Sequence, residues 1–153
     1  VQAFTMWSGS DKLDASMLML AYHEVLARDD PWLISTVEQI QKRLSIDGLV
    51  QRYDAEDDFG VSDSTFSICS FWLVDALHYI GRVDEAKKLF EHLLTFANHV
   101  GLFSEDIDRK NGELLGNFPQ AYVHIAIINT AILLSEWSVK MKRLDWKSRK
   151  QIR

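Results

Sequence analysis

The chain has one cysteine, Cys69, in 153 residues. A lone cysteine excludes an internal disulfide and, with no CxxC partner, a cysteine-built zinc or redox centre. Set in an apolar run, Cys69 reads as a buried free thiol. Long apolar runs are missing too: residues 121–134 are interrupted by His124, Asn129 and Thr130, short of the ~18 unbroken positions a membrane span needs. GxSxG, P-loop and GxGxxG patterns are all absent, so serine-hydrolase and nucleotide chemistry lack their motifs. The pair His23-Glu24 has Ala27 where HExxH needs its second histidine. The stretch DIDRKNG puts Lys110 at a ligand position of a calcium loop and Asn111 at its glycine, and Asn117 falls where the terminal glutamate belongs. No metal and no cofactor are therefore expected.

Composition places the chain among ordinary soluble globular proteins, with 47% hydrophobic and 25% charged residues. The net charge of −5 gives no overall footprint for nucleic acid. Charge is uneven, since residues 138–153 carry seven basic groups against Asp145, making that tail +6 and the remainder −11. Such a tail can meet polyanions or anionic lipid, but a solvated end is the commoner outcome, so neither nucleic acid nor membrane is an expected partner. The chain opens on Val1-Gln2-Ala3-Phe4 without a methionine. A targeting segment is thus neither seen nor excluded, and the expected location is cytoplasmic.

Five helices can be read and almost nothing reads as strand. The first, about 13–28, is apolar nearly all round. The second begins at Asp30 and Pro31, an N-cap followed by proline at the first helical position, and carries one stripe of Ile34, Val37, Ile40 and Leu44. The third, about 65–80, is apolar on every side. The fourth, 84–98, sets Ala86, Leu89, Phe90, Leu93, Leu94 and Ala97 opposite Lys87, Lys88, Glu91 and His92. The fifth, about 119–137, is apolar all round again. A one-stripe helix covers a core and an all-round apolar helix sits inside it, so inner and outer helices alternate. Short links follow the inner helices and long loops (45–64, 99–118) follow the outer ones. The expected fold is therefore all-α, part of a double ring of antiparallel helices.

The long loops converge where inner helices begin, and helix N-termini offer unpaired N–H groups to carboxylates and sugar oxygens. Glu105, Asp106 and Asp108 share one such loop; Arg52, Tyr53, Asp54 and Asp57 share another; Phe71 and Trp72 lie just inside the third helix, and Trp7 precedes the first. Carboxylates among aromatics suit a sugar site, and glycosidic cleavage needs two carboxyl groups. The same residues also suit a solvated acidic loop over core aromatics. His124 reads as a hydrogen-bonded core histidine.

Several stretches, in order, narrow the choice: FTMWSGSDKLDAS (4–16), DDPWLISTVEQIQKRL leading to DGLVQRYDAEDD (29–58), TFSICSFWLVDAL (65–77), GRVDEAKKLFEHLL (81–94) and GLFSEDIDRKNGELLGNFPQAYVHIAIINTA (101–131). Together they resemble the C-terminal part of glucoamylase-like glycosidases, the family that includes glucoamylases, glucodextranases and microbial trehalases. The resemblance implies a partial (α/α)6 barrel over residues 1–137, with 138–153 as a basic tail. It implies inverting exo-hydrolysis of α-glucosidic bonds in oligo- or polysaccharides, or in trehalose. Glu105 of LFSED matches the family's general base, Arg52 of QRYD the arginine that holds substrate hydroxyls, and Trp72 of SFWLVDAL an aromatic wall of the pocket. Tyr53 and Asp106, their chain neighbours, complete the expected substrate-binding set, with Asp106 and Asp108 also shaping the loop. For Arg52 the competing reading is a loop salt bridge with Asp54 or Asp57; for Trp72 it is core packing.

Two departures stand against the family pattern. Where members have a glycine-rich approach to Thr65-Phe66, this chain reads VSDS (61–64). The upstream Trp-Glu motif carrying the general acid has no counterpart here, so the missing upstream half of the barrel is an expected partner, and self-association of the exposed inner helices a further possibility. The alternative function is a non-catalytic helical module that binds carbohydrate or protein.

Overall fold

The computed structural model describes residues 2–56, 60 and 64–135 of the chain. A turn of 3-10 helix, Ala15–Leu18, runs into α1 (Met19–Tyr22). Then come α2 (Pro31–Leu44), a hairpin of β1 (Ser45–Ile46) and β2 (Leu49–Val50), β3 (Ser64–Phe66), α3 (Ser67–Tyr79), α4 (Val83–Leu94), β4 (Asp106–Asp108), β5 (Leu114–Leu115) and α5 (Ala121–Leu134). The basic tail read at residues 138–153 lies outside the described residues, as does Asp57.

The helix order stands as read, but several boundaries move. The first helix was expected to reach residue 28 and instead stops at Tyr22. Val25 N–H bonds the Leu20 carbonyl and Glu24 N–H the Ala21 carbonyl, with Glu24 at φ +52°. That is a Schellman stop with glutamate in the place glycine usually takes. The apolar residues beyond it do not extend the helix, and Val25 is exposed. In α2 the buried stripe is Leu33, Val37, Ile40 and Leu44, while Ile34 is only half-buried. Pro31 and the Asp30 side chain, which accepts from the N–H groups of Trp32 and Leu33, set its start as expected.

The near absence of strand is the larger correction. Both long loops fold into small sheets. β1 and β2 form an antiparallel hairpin closed by Asp47 and Gly48, both at positive φ, the Asp-Gly pairing a type I′ turn prefers. A side chain at position 48 would also come within 2.5 Å of Leu89 Cδ1. The order β3-β4-β5 makes a three-stranded antiparallel sheet, with Phe66 opposite Asp106 and Asp106 opposite Leu115. Strands this short carry too few residues for alternation to show in a sequence; they exist because backbone groups in loops packed on the helices need partners.

α3 is the hub. It packs against α1, α2, α4, α5 and β2, and every residue from Ser67 to Leu77 is buried except Trp72. Phe71 sits in the core edge-on to Phe90 and Phe103, and Cys69 is a buried free thiol beside it. The one-stripe helices α2 and α4 cover this core from outside, as their periodicity predicts. α5 behaves differently from α3 despite a similar composition. Val123, Ala126 and Thr130 are buried, while Tyr122, Ile125, Ile128 and Ile132 are each more than half exposed along one face. Among the described residues no helix is long and apolar enough to cross a membrane.

Candidate functional site

The polar loops meet at the first turn of α3. Glu105 lies one residue before β4, beside the junction of β3 and α3. Its carbonyl accepts from Ser67 N–H (2.9 Å) at the start of α3, and its N–H donates to the Asn117 carbonyl (2.9 Å). The side chain is half-buried. Both the backbone N–H (3.1 Å) and the Nδ2 amide (2.9 Å) of Asn117 donate to one carboxylate oxygen, Oε2. The other oxygen, Oε1, has no protein partner among the described residues. Gly116, at φ +72°, presses against this carboxylate so closely that a Cβ there would lie 3.0 Å from Oε2.

From the neighbouring loop, Arg52 reaches Asp14, not the Asp54 of the competing salt-bridge reading. Nε of Arg52 donates to Oδ1 of Asp14 at 2.8 Å, and Nη2 lies 3.4 Å from Oδ2. Asp54 is engaged elsewhere, accepting from Leu13 N–H at 2.9 Å and pairing with Arg43. Ala15 N–H bonds the Arg52 carbonyl (2.7 Å), and Tyr53 pairs with Asp14 through a β-bridge. Asp14 also accepts from Ser16 N–H (2.7 Å), starting the first helical turn. Burial alone would raise the Asp14 carboxyl, but the hydrogen bonds from Arg52 and Ser16 outweigh it and hold the group below the ordinary carboxylate range. The Asp14 hydrogen bond raises the Arg52 guanidinium in turn, against its own desolvation.

Asp14 was not singled out from the sequence. Its position before the first apolar helix marks a cap, yet its pairing with Arg52, 38 residues away, carries no local signal. Replacing Asp14 by Ala is expected to cost about 2–3 kcal/mol, combining a lost cap with an unpaired, partly buried guanidinium. Because the folded-state value is lowered, the stabilisation is present above the unfolded-state value and disappears as pH falls through the folded one. Unfolding followed at pH 7 and in acid should show the wild-type advantage shrinking toward low pH.

Arg52, Asp14 and Asp106 all exert their charges on Cys69 in the first turn of α3. Val50, two residues before Arg52, donates its N–H to the Ser70 hydroxyl (2.9 Å). Three of the expected residues, Arg52, Glu105 and Asp106, thus flank one helix N-terminus, and Tyr53 follows Arg52 on the same loop. Trp72 is farther along α3; it packs on the core and is half-buried. Asp108 turns its own loop, accepting Lys110 N–H on Oδ1 (2.6 Å) and Gly112 N–H on its carbonyl (2.9 Å). His124 is half-buried, with Nδ1 2.7 Å from the Gln120 carbonyl and Nε2 3.4 Å from Phe103 N. Phe71 belongs to the core and Trp7 to the exposed surface. Among the described residues no three His, Cys, Asp or Glu side chains converge as a metal cage. Among the described residues two buried polar atoms lack a protein partner, Ser67 Oγ and Gln120 Oε1, at the starts of α3 and α5.

A trehalase of Mycobacterium tuberculosis is 46% identical to this chain over 132 residues, covering 84% of the chain and 19% of that protein. A trehalase of Thermoplasma volcanium is 36% identical over 139 residues, covering 90% of the chain and 22% of that protein. The chain therefore spans about a fifth of the length of these curated relatives. A solved structure titled "Glycosidase Wild Type" shares the fold, with a TM-score of 0.73 at 21% identity over 87% of this chain and 38% of that one. Residues 2–132 match the family described as Glycosyl hydrolases family 15. Helices, loops and the carboxylate-bearing turn thus fall into place together: the chain belongs to glycosyl hydrolase family 15.

Proposed function

We propose that the chain is the general-base part of an inverting glycosidase acting on trehalose. The observation that carries the mechanism is the state of Glu105: one oxygen held by two N–H donors, the other without a protein partner among the described residues, beside the start of α3. A general base must hold a water against the anomeric carbon, so a fixed carboxylate with one oxygen available is what the step demands. The names of the relatives at 46% and 36% identity support trehalose as substrate. Arg52, oriented by Asp14, donates to glucose hydroxyls; Tyr53 and Asp106 add polar contacts; the half-buried Trp72 side chain forms an apolar wall for the pyranose.

A remaining portion of the polypeptide supplies the general acid and the rest of the (α/α)6 barrel. It covers the apolar face of α5 formed by Tyr122, Ile125, Ile128 and Ile132, each worth about 1.5–3 kcal/mol when fully buried. In the reaction the acid protonates the bridging oxygen as Glu105 takes a proton from the attacking water, and inversion follows at one anomeric carbon.

Product stereochemistry tests this reading. Trehalose joins two α-anomeric carbons, so inversion yields one β-glucose and one α-glucose, while retention yields two α-glucose molecules. Proton NMR of the complete protein with trehalose, recorded before mutarotation, should show both anomers in equal amounts from the earliest time points. Release of α-glucose alone, or binding of trehalose without hydrolysis, would overturn the proposal.

A further inference from the structure

We infer that Asn117 is a positioning residue for the base, fixing which oxygen of Glu105 faces the water. The inference rests on the proposed role of Glu105 and adds a device that sets its orientation. Asn117 engages Glu105 three times: its carbonyl accepts the Glu105 N–H, and its own N–H and Nδ2 amide both donate to Oε2. A glutamate side chain has three rotatable bonds and, at a half-exposed site, would otherwise sample several rotamers. Two donors on a single oxygen, from a residue whose backbone is already paired with the glutamate's own, remove that freedom. Oε1 is left as the proton acceptor.

The residue types on either side fit this task. Gly116 places the turn directly against the carboxylate, where a Cβ would meet both Oε2 and the Glu105 Cβ, at 3.0 and 3.1 Å. Asparagine at 117 supplies an N–H donor without charge. Aspartate would set a second carboxylate against the first, and alanine would keep only the backbone donor. The segment is held at both ends: Gln120 N–H bonds the Phe103 carbonyl (3.1 Å), and β5 pairs with β4 through Asp106–Leu115. Asn117 therefore cannot drift away from Glu105 without breaking that register.

The test is a double-mutant cycle in the complete protein with trehalose as substrate, using Asn117→Ala, Asn117→Asp, Glu105→Gln and the Asn117→Ala/Glu105→Gln pair. Asn117→Ala should lower kcat about tenfold, the scale of a misaimed catalytic group, with KM changed less than about twofold. Asn117→Asp should lower kcat further, since it sets a second carboxylate against the first. In the Glu105→Gln background the alanine substitution should have almost no additional effect, since there is no base left to aim. A wild-type kcat in Asn117→Ala, a KM change as large as the kcat change, or an undiminished effect in the Glu105→Gln background would overturn the inference. The Glu105→Gln single variant keeps the two ideas apart: if that variant alone is fully active, the assignment of the base has failed; if it is inactive while Asn117→Ala and Asn117→Asp are normal, only the positioning role has.

Discussion

Glu105→Gln in the complete protein should lower kcat by roughly 10²–10⁴-fold, the range a positioned general base supplies, while leaving thermal stability nearly unchanged. The two effects separate because of how the carboxylate is held. Asn117 gives both of its N–H groups to a single oxygen, and the amide oxygen of glutamine can accept the same pair. The backbone bonds from Ser67 N–H and to the Asn117 carbonyl do not involve the side chain at all. What the substitution removes is a proton acceptor on the second oxygen. An amide cannot take a proton from water near neutral pH, so the attacking nucleophile loses its activation while binding contacts survive. Steady-state kinetics on trehalose and a melting curve suffice as measurements. A rate within tenfold of wild type would reject Glu105 as the base, and a collapse of the melting temperature would mean that the residue serves the fold instead.

The second large effect lies at the other end of α3, away from the site. Asp75 is 4% exposed, and Thr130 Oγ1 lies 2.7 Å from its Oδ1 across the α3–α5 contact. Burial pushes its carboxyl up to about 7, against 3.8 for an ordinary aspartate, with the Thr130 hydrogen bond opposing the rise. Asp75 also lines a cavity of about 610 Å³ shared with Glu24, Arg28, His78 and Tyr79. A raised folded-state value means that protonation favours the fold. The contribution is therefore fully present below the unfolded-state value and is lost as pH rises through the folded one. About three pH units of difference correspond to roughly 4 kcal/mol. Asp75→Asn keeps the shape and a partner for Thr130 but cannot ionise. Its stability relative to wild type should be near equal at pH 4 and should rise to a gain of up to about 4 kcal/mol by pH 8. Thermal unfolding of both proteins across that range decides it; a difference that does not vary with pH would show that Asp75 ionises at no cost in the folded state.

The helices, and the contrast between the buried α3 and the covering α2 and α4, were legible because helix formation is local. Asp30 and Pro31 start α2, the apolar content of Ser67–Leu77 buries α3, and the opposed faces of Val83–Leu94 make α4 an outer helix. The stretch holding Glu105 was legible as a family motif. Less visible were the features made by residues far apart in sequence. The stop at Glu24 left no glycine to mark it. The sheet of β3, β4 and β5 consists of two- and three-residue strands with no alternation to read. Arg52 had acidic neighbours two residues on and further along, yet it pairs with Asp14, because the loop runs antiparallel to the segment before α1.

The amino-acid order alone determined that the chain is helical, which faces are apolar, and which family it resembles, since backbone propensity, side-chain period and motif identity are properties of contiguous residues. Tertiary structure alone decided that Asn117 grips Oε2 of Glu105, that Asp14 orients Arg52, and that Asp75 is buried against Thr130. Each of those pairings depends on the register in which segments 12, 38 and 55 residues apart come together. That register is set by the packing of the whole core rather than by either partner.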